Sequence, residues 1–228
     1  MIFQTHTLVF ATEKIATRHY PAQGNTVFLL HGAGNANQAT LYKIALFLQQ
    51  KQFNTISFDY SGHGESSNEK PSSILTKTEQ ARAVMQYYSQ NHHKIHLFAW
   101  SMSGQIAVNL LENNPQIVSL TLFAPALYAE DVMKVEFGAA FTQAIREYGN
   151  WQRSNATRIL PHFSGCLNLV RPENDAIIPP EVSQIYREYA PPHFQEIILP
   201  HAPHTLGAWF DEDVRRFENV FRQIRFFQ

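Results

Sequence analysis

A serine stands at a change of pattern in "HLFAWSMSGQIA", the segment that begins at His96. The segment is apolar up to Trp100, then small and polar, then apolar again at helical spacing. That reads as a strand, a sharp turn and a helix. A serine on such a turn presents its hydroxyl clear of the backbone and, with a base beside it, can attack an acyl carbon. Strand and helix approach each other closely there, so the residues two before and two after the serine must be small. Around Ser101 these are Ala99 and Ser103, where G-x-S-x-G would have glycines. Centring the turn on Ser103 instead places Gln105 at a small position, which is sterically poor. Ser101 is the better candidate. Ser103→Gly is then expected to be tolerated, because the position asks for smallness and not for a hydroxyl.

Other chemistries have less support. The 228 residues carry a formal charge of −1 with no long block of one sign, which argues against nucleic acid or an anionic membrane as the main partner. The 11 histidines show no metal-binding spacing, so no metal and no cofactor is expected. The single cysteine, Cys166, lies in the apolar run "CLNLV" and reads as a buried strand thiol. The N-terminal "MIFQTHTLVFATEK" reads as a strand rather than a signal peptide, and no apolar run approaches the ~18 residues of a membrane span. A soluble, cytoplasmic protein is expected, with its oligomeric state open.

The elements that must position Ser101 follow from alternating patterns. "THTLVFA" and "KIATRHY" form an initial hairpin turning at Thr12-Glu13. "TVFLL", "TISFDY", "KIHLFAW", "IVSLTLFA", "CLNLV" and "FQEIILP" read as strands, several of them apolar throughout, as in a parallel sheet buried on both faces. Between them, "ATLYKIALFLQQ", "TEQARAVMQYYSQN", "GQIAVNLLENN" and "PPEVSQIYREYA" read as helices, and "DEDVRRFENVFRQIRFF" is the last. Alternating strands and helices predict one α/β domain over 1–228: a mostly parallel sheet of about eight strands between layers of helices. Sites in such sheets lie at the carboxyl ends of the strands.

Residues 126–163 form an insert of roughly forty residues, longer than a plain connection. Phe137, Phe141, Ile145 and Tyr148 mark one face of an amphipathic helix there. That face either packs on the sheet's own core or roofs a pocket as a small cap, and spacing does not separate the two.

Two further turns at strand ends are "LLHGAG" and "DYSGHGESS". With "WSMSG" they stand in an order and spacing that resembles the α/β-hydrolase superfamily over nearly the whole chain. The pattern looks most like the serine-hydrolase branch that includes monoacylglycerol lipases, lysophospholipases, carboxylesterases and proline-iminopeptidase-like enzymes. That branch has D-x-x-G-H-G-x-S in the middle turn, which is kept here, and G-H-S-M-G-G at the elbow, which here reads "AWSMSG".

The resemblance implies an acid after the next-to-last strand and a histidine after the last. Asp175 in "RPENDAIIPP" and His204 in "LPHAPHTLG" fill these places, with Pro172 where a glycine is usual. His201 ranks second as the base, and Glu173 and Asp131 are fallback acids. In this reading His204 takes the proton of Ser101 and returns one to the leaving group, while Asp175 fixes the imidazole. The backbone N–H groups of Met102 and, by resemblance, Ala33 would hold the oxyanion. Taken singly, Asp175 reads better as the cap of the helix near Pro180 or as a turn residue, and His204 as a polar helix-start residue, and only jointly do they read as a triad. Asp59, His63 and Ser66 read as structural, pinning the loop before the next helix and capping that helix. If some of the aromatics line a pocket, Trp100, Phe137, Phe141, Tyr148 and Trp151 favour an apolar or aromatic acyl group.

The expected activity is hydrolysis of a carboxylic ester of a small or medium acyl group through an acyl-enzyme. Thioesterase, peptidase, acyltransferase and carbon–carbon hydrolase chemistry share the same triad. A small-molecule-binding protein that has lost catalysis is the alternative from another class. Activity is expected to fall at acid pH as the catalytic base becomes protonated.

Overall fold

The computed structural model describes residues 2–89 and 94–226. Its centre is an eight-stranded sheet, β1 (Gln4–Phe10), β2 (Glu13–Tyr20), β3 (Thr26–Leu30), β4 (Asn54–Phe58), β5 (Ile95–Trp100), β6 (Ile117–Phe123), β7 (Cys166–Asn174) and β8 (His193–Pro203), in the order β1-β2-β4-β3-β5-β6-β7-β8. β1 pairs antiparallel with β2 and β2 antiparallel with β4, and every other pairing is parallel. This is the mostly parallel α/β architecture expected from the alternation. Small boundary shifts occur: the hairpin turns at Ala11-Thr12, one residue earlier than expected, with Ala11 in left-handed backbone at φ 52°.

Side chains of β3 show how the sheet divides the core. Phe28 and Leu30 point into one apolar cluster, Val27 and Leu29 into the other, as the two-residue pleat requires. The first cluster is closed by α2 (Ile74–Tyr88), α3 (Ser103–Leu111) and α6 (Pro180–Glu188), through Ile74, Val84, Ile106, Leu110, Val182 and Tyr186. The second is closed by α1 (Tyr42–Gln50), α7 (Leu206–Glu212) and α8 (Val214–Phe221), through Ile44, Leu48, Phe210 and Phe217. Cys166 is buried in β7 as a free thiol.

Several helices are shorter than their patterns. Residues 38–41 form a 3-10 turn before α1, with Asn37 capping it through Ala39 N–H and Thr40 N–H. The expected 78–91 helix starts earlier, at Ile74, under a Ser73 cap, and Gln90 and Asn91 lie outside the described residues. α3 stops at Leu111 because Asn113 turns left-handed at φ 64°. The final pattern is two helices, split where Asp213 adopts extended backbone and caps α8 through Arg215 N–H. Phe227, its expected end, is outside the described residues.

The segment between β6 and β7 holds α4 (Ala139–Ile145), α5 (Ala156–Ile159) and three 3-10 turns, with no long helix. Its buried Met133, Phe141, Trp151, Ile159 and Leu160 join the first core cluster. A polar knot fastens it to α3. Gln105 accepts from Tyr128 N–H at 3.0 Å and Ser154 Oγ at 2.8 Å, and donates to Asn109 and Asn155 at 3.0 and 2.8 Å.

Candidate active site

Ser101 follows the last residue of β5 and precedes α3, with φ 50°. Left-handed backbone is costly for a side-chain-bearing residue, and such strain concentrates where a turn must aim one group. The turn is held by Ser101 N–H donating to Phe123 O at 2.9 Å, while Gly104 and Ala126 N–H donate to Ser101 O at 2.8 and 2.9 Å. Crowding falls on Gly104: a Cβ there would lie 2.5 Å from Pro125 Cβ. The neighbouring Ser103 meets polar groups instead. Its Oγ donates to His31 O at 2.5 Å and lies 3.1 Å from Tyr60 Oη. The expectation that position 103 asks only for smallness is therefore corrected: its hydroxyl is buried and bonded at both sides.

Asp175 immediately follows β7 and His204 follows β8, two neighbouring parallel strands. His204 Nδ1 lies 2.9 Å from Asp175 Oδ2, and His204 Nε2 lies 3.0 Å from Ser101 Oγ. A carboxylate only accepts, so Nδ1 carries the proton and Nε2 presents a lone pair to the serine hydroxyl. The other Asp175 oxygen accepts from the Ile177 and Ile178 amides, each at 2.9 Å. Burial pushes the Asp175 carboxyl up, but the His204 and backbone hydrogen bonds outweigh it and hold it below the usual carboxylate range. The acid and histidine side chains are 10% and 15% exposed.

The second-ranked residues lie apart from this chain of contacts. His201 is 90% exposed, with Nδ1 3.5 Å from Glu173 Oε2, and its N–H donates to the same oxygen at 2.9 Å. The alternative base and acid thus meet each other at the surface. Asp131 is exposed at a 3-10 turn between β6 and β7.

Ala33, Gly34 and Met102 form part of the wall of a cleft of about 620 Å³, with Ser61, His63, Asn68, Glu69, Lys70, Pro71, Ser72, Lys77 and Phe137 among the others. Neither the Ala33 nor the Met102 amide donates to a backbone acceptor among the described residues. Gly32, which precedes Ala33, would bring a Cβ to 3.4 Å of Ser101 Cβ, so the "HGAG" turn abuts the serine. Of the aromatics expected at a pocket, Phe137 is on the cleft wall. Phe141 packs beneath it, with ring centroids 4.8 Å apart. Trp100 lies in the opposite core cluster, stacked on Phe123 at 4.3 Å, because strand alternation points it away from the cleft. Tyr148 is 80% exposed and stacks edge-on with Trp151. The spacing of these aromatics implied one long helix, but Phe137 precedes Gly138 and Tyr148 lies beyond α4.

The middle turn is structural scaffolding of the kind expected. Buried Asp59 accepts from Gln38 N–H at 2.6 Å, Gln38 Nε2 at 2.9 Å and Glu65 N–H at 2.9 Å. Ser66 Oγ donates to Asp59 O at 2.6 Å, and His63 Nδ1 donates to Ala36 O at 2.9 Å. The cap of α2 is Ser73, not one of these three residues. Sequence reasoning missed His31 and Lys77. His31 Nδ1 donates to Gly32 O at 2.7 Å and Nε2 accepts from Tyr60 N–H at 3.3 Å, and burial pushes its pKa down to about 3. No group of three or more His, Cys, Asp or Glu gathers to hold a metal among the described residues.

Fold and site together define an α/β-hydrolase. The sequence profile described as "Serine aminopeptidase, S33" matches residues 21–163, and the chain belongs to that family. No curated protein matches it in sequence. Among solved structures, the Pyrococcus furiosus esterase Pf2001 is similar with a TM-score of 0.73 at 16% identity, covering 97% of this chain and 92% of the other. A thioesterase domain from the curacin biosynthetic pathway gives 0.74 at 17% identity over 96% and 98% of the two chains. Est816, described as an N-acyl homoserine lactone degrading enzyme, gives 0.73 at 15% identity over 96% and 100%. These likenesses establish the fold. No helix among the described residues is long and apolar enough to cross a membrane.

Proposed function

We propose that this hydrolase cleaves a carboxylic ester through an acyl-enzyme on Ser101. The observation that carries the reading is the continuous contact from Ser101 Oγ to His204 Nε2 and from His204 Nδ1 to Asp175. His204 removes the serine proton as Oγ attacks the carbonyl carbon, and Asp175 stabilises the resulting imidazolium. The amides of Ala33 and Met102 receive the oxyanion. Collapse of the tetrahedral intermediate expels the alcohol, which takes its proton from His204. Water, deprotonated by the same histidine, then releases the acid and restores the serine.

Ester chemistry is favoured over aminopeptidase chemistry by the charge of the cleft. An aminopeptidase must hold the α-ammonium of its substrate. Here the buried ionisable group lining the cleft is the Lys77 amine, and the one carboxylate among the lining residues, Glu69, is exposed, so the wall offers no buried carboxylate to hold an α-ammonium. Thioesters, which carry no such cation at the reacting end, fit the same machinery.

Intact mass after exposure to a fluorophosphonate probe tests the reading. A single adduct on the wild type, absent in Ser101→Ala, is the expected result. A folded wild type that takes no adduct would point to a binding protein or an occluded serine.

A further inference from the structure

Lys77 is the unusual group in this molecule. It is 1% exposed, yet no carboxylate lies within ion-pair distance among the described residues. Its Nζ donates one hydrogen bond, to Ser61 O at 2.9 Å, and lies over the rings of Tyr60 and Phe137 at 5.1 and 5.3 Å from their centroids. An ammonium has three donors, so two remain without an acceptor among the described residues. Buried charges are ordinarily paired, because desolvation is expensive. The side chain lines the 620 Å³ cleft that also contains the Ala33 and Met102 turns.

A second polar group on the same wall is also unsatisfied. Ser72 Oγ is buried and has no hydrogen-bond partner among the described residues. Its backbone is fixed, since Ser72 O accepts from Phe137 N–H at 2.8 Å. Thus a cation with spare donors and an unused hydroxyl line one cavity, beside an aromatic ring.

We infer that this wall is a subsite for a carboxylate carried by the substrate at a distance from its scissile ester, with Lys77 and Ser72 as its ligands. This rests on the ester reading of Ser101 and narrows its substrate class to half-esters and similar acids. A carboxylate matches the charges better than a phosphate dianion does. Lys77 is the one buried amine on the lining, His63 is held toward the neutral form by burial, and exposed Lys70 is offset by exposed Glu69. Glu13 acts on Lys77 through space but is occupied by Ser67 Oγ and by the Glu69 and Lys70 amides. Burial pushes the Lys77 ammonium down to about 7, so an arriving carboxylate supplies the counter-charge that the fold withholds.

Two activated esters test this: 4-nitrophenyl hydrogen adipate and its neutral counterpart, 4-nitrophenyl methyl adipate. The wild type should prefer the free acid in kcat/KM. Lys77→Met should lower that preference by roughly ten- to a hundredfold, the worth of a hydrogen bond to a charged group, while Lys77→Arg retains part of it. A residue that only braces the Ser61 loop would change both substrates alike and leave the ratio untouched, which overturns the subsite. Should Lys77→Met fail to fold, Ser72→Ala should still reduce the preference, and a wild type without preference overturns the proposal by itself. Fluorophosphonate labelling of each variant separates the two ideas. Labelling without a preference leaves the ester reading intact and removes the subsite. Without labelling, calorimetry with adipate against dimethyl adipate still tests the subsite: binding of the acid alone, lost in Lys77→Met, sustains it, and equal or absent binding removes it.

Discussion

Ser103 and His31 are joined by a hydrogen bond from the serine hydroxyl to the histidine carbonyl, 2.5 Å long and wholly buried. It ties the first residue of α3 to the turn after β3, the two segments whose amides face the reacting carbonyl in the proposed mechanism. Tyr60 Oη, 3.1 Å from the same oxygen, brings in the turn after β4. Ser103→Gly would strand the carbonyl and the phenol together. A loss of about 1–3 kcal/mol is expected, the usual cost of a buried polar group left unpaired. Urea unfolding of the variant measures it. An unchanged midpoint would show that the hydroxyl is dispensable.

Gly104 is where the strand-to-helix turn has no room. An alanine methyl would meet Pro125 at 2.5 Å and the Pro125 Cα at 3.0 Å. Gly104→Ala is expected to cost about 1–3 kcal/mol through overpacking and to displace the elbow. Thermal unfolding together with the fluorophosphonate labelling rate checks both effects, and normal values for both would contradict the crowding.

Asp175 and Glu173 make opposite predictions although they are two residues apart. Asp175→Asn should lower kcat by on the order of 10⁴-fold, the effect known when an amide replaces a triad carboxylate and reverses the imidazole tautomer. Glu173→Gln, at a half-exposed carboxylate paired with His201, should leave kcat within about twofold. Steady-state kinetics on the two variants decides which carboxylate orients the base.

Acid should destabilise the fold through histidines that are buried neutral. Burial pushes His31 down to about 3 and, with help from Lys94, His96 down to about 4. In the unfolded chain both titrate near ~6.5. Below that pH the unfolded state binds protons that the folded state refuses, so stability is fully present above about pH 6.5 and drains away as pH falls toward 4 and 3. His96→Asn should flatten that decline. Urea midpoints measured from pH 7.5 down to 4.5 would show the slope, and a mutant as steep as the wild type would discount His96.

Much of this architecture is legible in the chain because parallel strands buried on both faces leave uninterrupted apolar runs. "TVFLL" is buried at every residue. The elbow is legible through small residues, although the tightest approach falls on Gly104 and not on Ser103. The acid and base positions come from a resemblance to known hydrolases, since turns after strands carry no periodicity of their own. In the aromatic insert, helical spacing arises across helix ends, which Gly138 and a left-handed Gly149 at φ 77° interrupt. Lys77 left no trace: a lysine in a helix ordinarily faces water, and only tertiary packing reveals that this one does not.

β8 is the last strand of the sheet, and β7 is its single strand neighbour. The proposed base, His204, therefore follows a strand at the margin, while the proposed nucleophile, Ser101, follows β5 at the centre. Margins fray at lower cost than centres. In rising denaturant the enzyme should fall silent while its helices still absorb circularly polarised light as before. The same looseness gives substrates a gentle way to hold it together: an occupied site would pin the frayed edge to the middle of the molecule.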